Sequence, residues 1–100
     1  MMRNANGTFQ LGQLVATPGA LQALEESGQT PLTFLSRHLT GDWGEIDEGD
    51  RQLNDQALND GSRLLSAYKT TKGTKLWIIT EATDDLGQRA ATTILLPEEY

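Results

Sequence analysis

The sequence predicts an α+β domain in which short helices pack on a small antiparallel β-meander of three to four strands. Two Thr-Pro pairs, Thr17-Pro18 and Thr30-Pro31, each open a short apolar stripe of helical spacing. From Ser62 onward the pattern changes to alternation and β-branched runs, broken by a Lys72-Gly73-Thr74 turn. At 100 residues the chain has room for one domain spanning 1–100. Residues 1–8, Asn-rich and polar, are expected to fray; 17–60 reads as mainly helical and 62–97 as the meander.

Taken in order, Phe9, Leu11, Leu14 and Val15 suggest a short strand or extended lead-in, weakened by Gly12. In the first helix Thr17 supplies the N-cap and Pro18 the first position. Ala20, Leu21, Ala23 and Leu24 form the stripe, and Ser27-Gly28 ends it. In the second, Leu32, Leu35 and Leu39 recur at near-helical spacing, Phe34 and His38 share a face, and Gly41 closes. Such short helices are marginal alone, so they must pack on the strands. A third helix is expected from about Asp47 to Asp60, with Leu53, Ala57 and Leu58 inward and acids in its first turn favouring the positive end of its dipole.

The strand predictions are Ser62–Thr70, with one side half-wet, Lys75–Ala82 and Ala91–Leu96. The Leu76–Thr80 run, LWIIT, reads as a central strand buried on both faces, with Trp77 in the core. TDDLGQR, residues 83–89, is a polar connection, and Tyr100 either docks on the sheet or hangs free.

Composition removes several classes. Without cysteine there is no disulfide framework, thiolate zinc site or Cys nucleophile. The single histidine excludes a multi-histidine metal site. Asp42, Glu45, Asp47 and Asp50 do not follow EF-hand spacing, and P-loop, GxGxxG and nucleophile-elbow patterns are absent. No cofactor or metal is expected. The absence of a signal-like or membrane-length apolar run points to the cytoplasm.

The charge is concentrated. Residues 42–60 hold seven acids and one base, Arg51, a balance equal to the whole formal charge of −6. Direct nucleic-acid binding is disfavoured, because it depends on Lys and Arg displacing counterions. A basic protein partner is favoured instead. The candidate partner-binding residues are Asp42, Trp43, Glu45, Asp47, Glu48 and Asp50, with Trp43 either an aromatic anchor or a plug over the helix–sheet junction. Against this stands a solvated acidic face that serves only solubility.

A catalytic alternative uses His38 as general base and Arg63 as anion clamp, with Ser66, Tyr68 and Thr80 as hydroxyl donors. That set is what a small metal-independent ribonuclease needs for a 2′-hydroxyl and a pentavalent phosphate.

FLSRHLTGDWG, NDQALNDGSRLLSAY, GTKLWIITEA and ATTILLPEEY, in that order, resemble a family of short bacterial proteins carried on plasmids, phages and other mobile elements. The similarity runs from about Thr30 to Tyr100. Some members bear the label of a type I restriction modification subunit, for which this chain is too short and lacks a methyltransferase motif. Members pass from the ITEA strand through an Asp-Arg pair straight to the Thr-Thr strand, whereas TDDLGQR here lengthens the connection and displaces Arg89. The resemblance implies a mobile-element setting. Together with the charge it leads to the expectation of a non-enzymatic accessory protein that binds a basic host or defence-system protein, in its sharpest form an inhibitor of a nucleic-acid-targeting complex.

Overall fold

A computed structural model describes residues 9–100; the fraying expected of residues 1–8 lies outside them. The elements are β1 (Gln13–Ala16), α1 (Pro18–Ser27), α2 (Pro31–Leu39), α3 (Glu48–Asp60), β2 (Leu64–Lys69), β3 (Lys75–Thr80) and β4 (Ala91–Leu95), followed by a 3-10 turn at Pro97–Glu99. The class is α+β, with short helices on a small sheet. The sheet order is β1-β4-β3-β2.

β2, β3 and β4 form the expected antiparallel meander, and Gly73 takes a positive φ of 86° in the hairpin. β1 corrects the expectation of a wholly antiparallel sheet: it runs parallel to β4, with Gln13 opposite Ala91 and Ala16 opposite Ile94. Three helices separate β1 from the meander, so no tight turn dictates its direction.

Both Thr-Pro starts hold. Thr17 Oγ1 accepts from the Ala20 N–H at 3.2 Å, and Gly28 ends α1 in the left-handed conformation. Thr30 precedes α2 without a side-chain cap bond. α3 starts where Asp47 Oδ1 accepts from the Asp50 N–H at 2.7 Å, and ends at Gly61.

Strand alternation separates two faces. Tyr68, Leu76, Ile78 and Ile94 point to the helical side and close over Ala20, Leu24, Phe34 and Leu35. Beside them Leu64 packs with Trp43 and Ala57. Each fully buried Ile or Leu here contributes about 1.5–3 kcal/mol relative to exposure.

Several side chains depart from expectation. Leu32 is 69% exposed and Leu53 61%, so neither serves the core. Asn54 is buried in place of Leu53. β2 has the expected half-wet side: Leu64, Ser66 and Tyr68 are buried, whereas the other side runs from exposed Arg63 through half-buried Leu65 and buried Ala67 to exposed Lys69. Trp77 is only half-buried: it points to the open face of the sheet, against Tyr100, whose ring centroid lies 5.7 Å away.

The outer edge of β2 is occupied. Residues 43–45 run beside it, with the Ala67 N–H donating to Trp43 O at 3.0 Å and the Glu45 N–H to Ala67 O at 2.6 Å. Gly44 permits this approach: its φ is 77°, and a Cβ there would collide with the Ala67 carbonyl. The Asn54 side chain satisfies Leu65 next along the edge.

Candidate functional site

The acids of residues 42–60 do not stand as one uncompensated cluster. Asp42 accepts from Arg37 at 2.7 and 3.3 Å, and this bonding holds its carboxyl below the usual range. Glu45 lies 4.0 Å from Lys69, and Glu48 lies 3.9 Å from Arg51. Arg37, Arg51 and Lys69 therefore line, with Asp42 and Glu45, a groove of about 300 Å³ in which cations outnumber acids. Asp47 is committed to capping α3, Asp55 accepts from the Trp43 indole at 3.3 Å, and hydrogen bonds from Ser62 hold the Asp60 carboxyl down. The stretch divides into a groove at 42–45, where neighbouring cations offset the acids, and an acidic helix, α3.

Trp43 is removed from the candidate contact residues. It is 1% exposed and packs against Phe9 and His38, with ring centroids at 6.3 and 5.6 Å. It is the plug between α3 and the sheet. The outward part of α3 carries Glu48, Gln52, Leu53, Asp55 and Gln56, with Asp50 half-buried in its first turn and Arg51 as the helix's one cation.

The structure brings His38, Ser66 and Thr80 together and leaves Arg63 apart. His38 is 0% exposed. Its Nδ1 lies 2.5 Å from Ser66 Oγ, and its Nε2 lies 2.9 Å from Thr80 Oγ1. Thr92 Oγ1 donates to the Leu11 carbonyl at 2.7 Å, which fixes the direction of the chain. Thr80 must then donate to Thr92 (2.8 Å), His38 Nε2–H to Thr80, and Ser66 to the unprotonated Nδ1. The imidazole is neutral, its pKa lowered to about 4 by burial and by the Arg89 charge.

Arg63 belongs to the other face, where its Nη1 donates to Tyr100 Oη at 2.6 Å. Tyr68, also buried, donates to the Asp42 carbonyl at 2.6 Å, and burial pushes its phenol up to about 12. The general base and the anion clamp of the nuclease reading lie on opposite sides of the sheet, and the base has no path to a substrate. This arrangement corrects the catalytic grouping of His38, Arg63 and Ser66.

Arg89 and Asn54 carry structural roles that their sequence positions conceal. Arg89, only 6% exposed, donates to the carbonyls of Ser62 (2.7 Å), Glu81 (2.9 Å) and Ala57 (3.1 Å). It places a cation at the negative end of the α3 dipole. Its one legible signal is its place at the close of the connection, where Thr83 and Arg89 form an isolated bridge.

Another groove, of about 380 Å³, lies on the open sheet face, floored by Ile79 and Leu95 and walled by Arg63, Glu81, Thr93, Glu99 and Tyr100. No protein-family model matches the chain, and no match to it is found among curated proteins or solved structures.

Proposed function

We propose that this chain is a non-enzymatic accessory protein that binds a basic protein through the outward face of α3. The observation that carries the reading is Leu53, 61% exposed on a helix whose first turn holds Glu48 and Asp50 and whose outward side adds Asp55. An exposed apolar side chain on a helix of mainly acidic charge suits a contact surface: the apolar group supplies affinity once desolvated, and the acids supply steering and choice of partner. Trp43 gives up the anchor role to Leu53, and the contact set becomes Glu48, Asp50, Leu53 and Asp55.

The burial of His38 supports a non-enzymatic role. The mobile-element resemblance supplies the setting, in which a nucleic-acid-targeting complex of the host, with its exposed Lys and Arg, is the class of partner. Binding then masks the surface that nucleic acid would use.

The test is affinity capture on immobilised protein at low and high salt, comparing wild type with a Glu48→Lys/Asp50→Lys variant. Asp47 and Asp55 are left alone because they cap α3 and bond Trp43. Wild type should retain a basic, nucleic-acid-binding protein that elutes with salt, and the variant should lose it. Equal retention by both removes α3 from the interface.

A further inference from the structure

The two edges of the sheet differ. β2 is closed by residues 43–45 and by the Asn54 side chain, whereas β1 pairs only with β4. In a parallel pair each residue turns both backbone groups to one side, and its neighbours turn theirs to the other. The Gln13 N–H donates to the Ala90 carbonyl at 2.9 Å and the Thr17 N–H to the Ile94 carbonyl at 3.0 Å, so Gln13, Val15 and Thr17 face β4. The N–H and C=O of Leu14 and of Ala16 therefore point away from the sheet, and no described residue pairs with them there. Ala16 packs on the helical core, so alternation places Leu14 on that side of the sheet and Val15 on the other. Both are open to solvent, Leu14 at 55% and Val15 at 43% exposure. Edges are ordinarily guarded by a Lys, a Pro or a bulge within the strand. Gln13–Ala16 has none of these, and residues 9–24 hold no charged side chain. Only the shortness of β1 limits what can pair with it.

Backbone donors and acceptors in an extended line call for another strand. We propose that the occupant is β1 of a second copy, laid antiparallel about a twofold axis at Val15, which joins the two four-stranded sheets into one. Leu14 of each copy then exchanges two hydrogen bonds with Ala16 of the other, and every outward group of both residues is satisfied. Val15 meets its own symmetry mate as a non-hydrogen-bonded pair, the closer kind, and Leu14 lies beside Ala16 on the helical side. The flanking residues fix this register. A slip one way sets Leu14 against Pro18, which has no N–H; a slip the other way sets Ala16 against Gly12, whose φ of 66° leaves the extended region. Charge permits the approach, because acidic α3 packs on β2 at the far edge and the net −6 is not concentrated at the seam. That far edge is closed, so association stops at two copies. The inference is independent of the α3 reading, since the two surfaces lie at opposite edges of the sheet.

The full chain is followed by sedimentation equilibrium over a wide range of concentration, with amide exchange measured residue by residue at both ends of the range. Wild type should pass from monomer to dimer. Exchange at Leu14 and Ala16 should slow at least tenfold with concentration, while Gln13 and Val15, already turned to β4, change little. Val15→Lys and Val15→Glu, at an exposed position and with native circular dichroism, should each weaken dimerisation at least tenfold, because the axis sets each new charge against its own copy. An equimolar mixture of the two should associate at least tenfold more tightly than either alone, a rescue that requires position 15 to face itself. A chain monomeric throughout overturns the proposal and leaves the edge to a strand of another protein. Protection of Leu14 and Ala16 that does not vary with concentration overturns it by showing the edge covered within one chain. A dimer that survives both substitutions and gains nothing on mixing overturns it by placing the interface elsewhere.

Discussion

His38 Nδ1 accepts a hydrogen bond from Ser66 Oγ across 2.5 Å, in a part of the fold closed to solvent. In an open cleft that pair would suggest an activated nucleophile. Here it begins a proton-ordered chain through Thr80 and Thr92 to the Leu11 carbonyl, tying α2 to three strands and to the segment before β1.

A pH dependence follows from that neutral imidazole. Its folded pKa of about 4 lies below the ordinary 6.5, so the unfolded chain binds the proton more readily. The stabilisation is complete above about pH 6.5 and is lost as pH falls towards 4. Between about pH 7 and pH 5, above most carboxylate titration, His38 should account for a loss of roughly 2 kcal/mol. Urea unfolding of wild type and His38→Gln at both pH values measures it. The variant should be less stable at pH 7 and should lack most of the slope. A parallel slope in both proteins would mean that another group titrates.

Asn54 clamps Leu65 at both backbone groups, its Nδ2 donating to the carbonyl at 2.6 Å and its Oδ1 accepting the N–H at 3.0 Å. Asn54→Ala leaves an edge N–H and C=O of β2 unpaired and should cost about 1–3 kcal/mol. Hydrogen exchange at the Leu65 amide should accelerate well beyond that of Ile78 in the sheet centre. Unchanged exchange at Leu65 would show that the clamp adds nothing to the edge.

Glu99 links the last turn to the first helix. Its carboxylate accepts from the Thr17 hydroxyl, from the Leu96 N–H at 2.9 Å and from the Gly19 N–H at 3.1 Å. These donors, the Thr17 hydroxyl foremost, hold its pKa below the ordinary 4.5. The stabilisation is therefore present above about 4.5 and disappears as pH falls through the lower folded value. Glu99→Gln should lower Tm at neutral pH, and the gap to wild type should close in acid. A gap that persists at low pH would assign the loss to packing rather than charge.

Much of this fold is legible in the sequence because its signals are local. Thr17-Pro18, Thr30-Pro31, Asp47 and Gly73 each act through the backbone of their own turn. The misplaced residues depend on distant partners. On α3, Leu53 and Asn54 lie roughly 40° and 60° to either side of Ala57 at about 100° per residue, so periodicity alone cannot choose between them. The free Leu65 backbone decides for the amide. His38 shares the Phe34 face as its spacing requires, but whether that face meets solvent or Ser66 is set by β2. Trp77 follows a strand pattern that fits two buried faces, and only the packing of the helices on the other face leaves its own half-covered. The candidate site fared similarly: the acids are legible, whereas the cations beside Asp42, Glu45 and Glu48 come from α2, α3 and β2.

Docking through the outward face of α3, as proposed, is best checked by the affinity of the purified chain for a captured basic partner, measured against Leu53→Asp and Glu48→Lys/Asp50→Lys. Each variant should weaken binding at least tenfold, with salt sensitivity retained in Leu53→Asp and largely lost in the charge reversal. Affinities equal to wild type, in variants with native circular dichroism, would contradict the account.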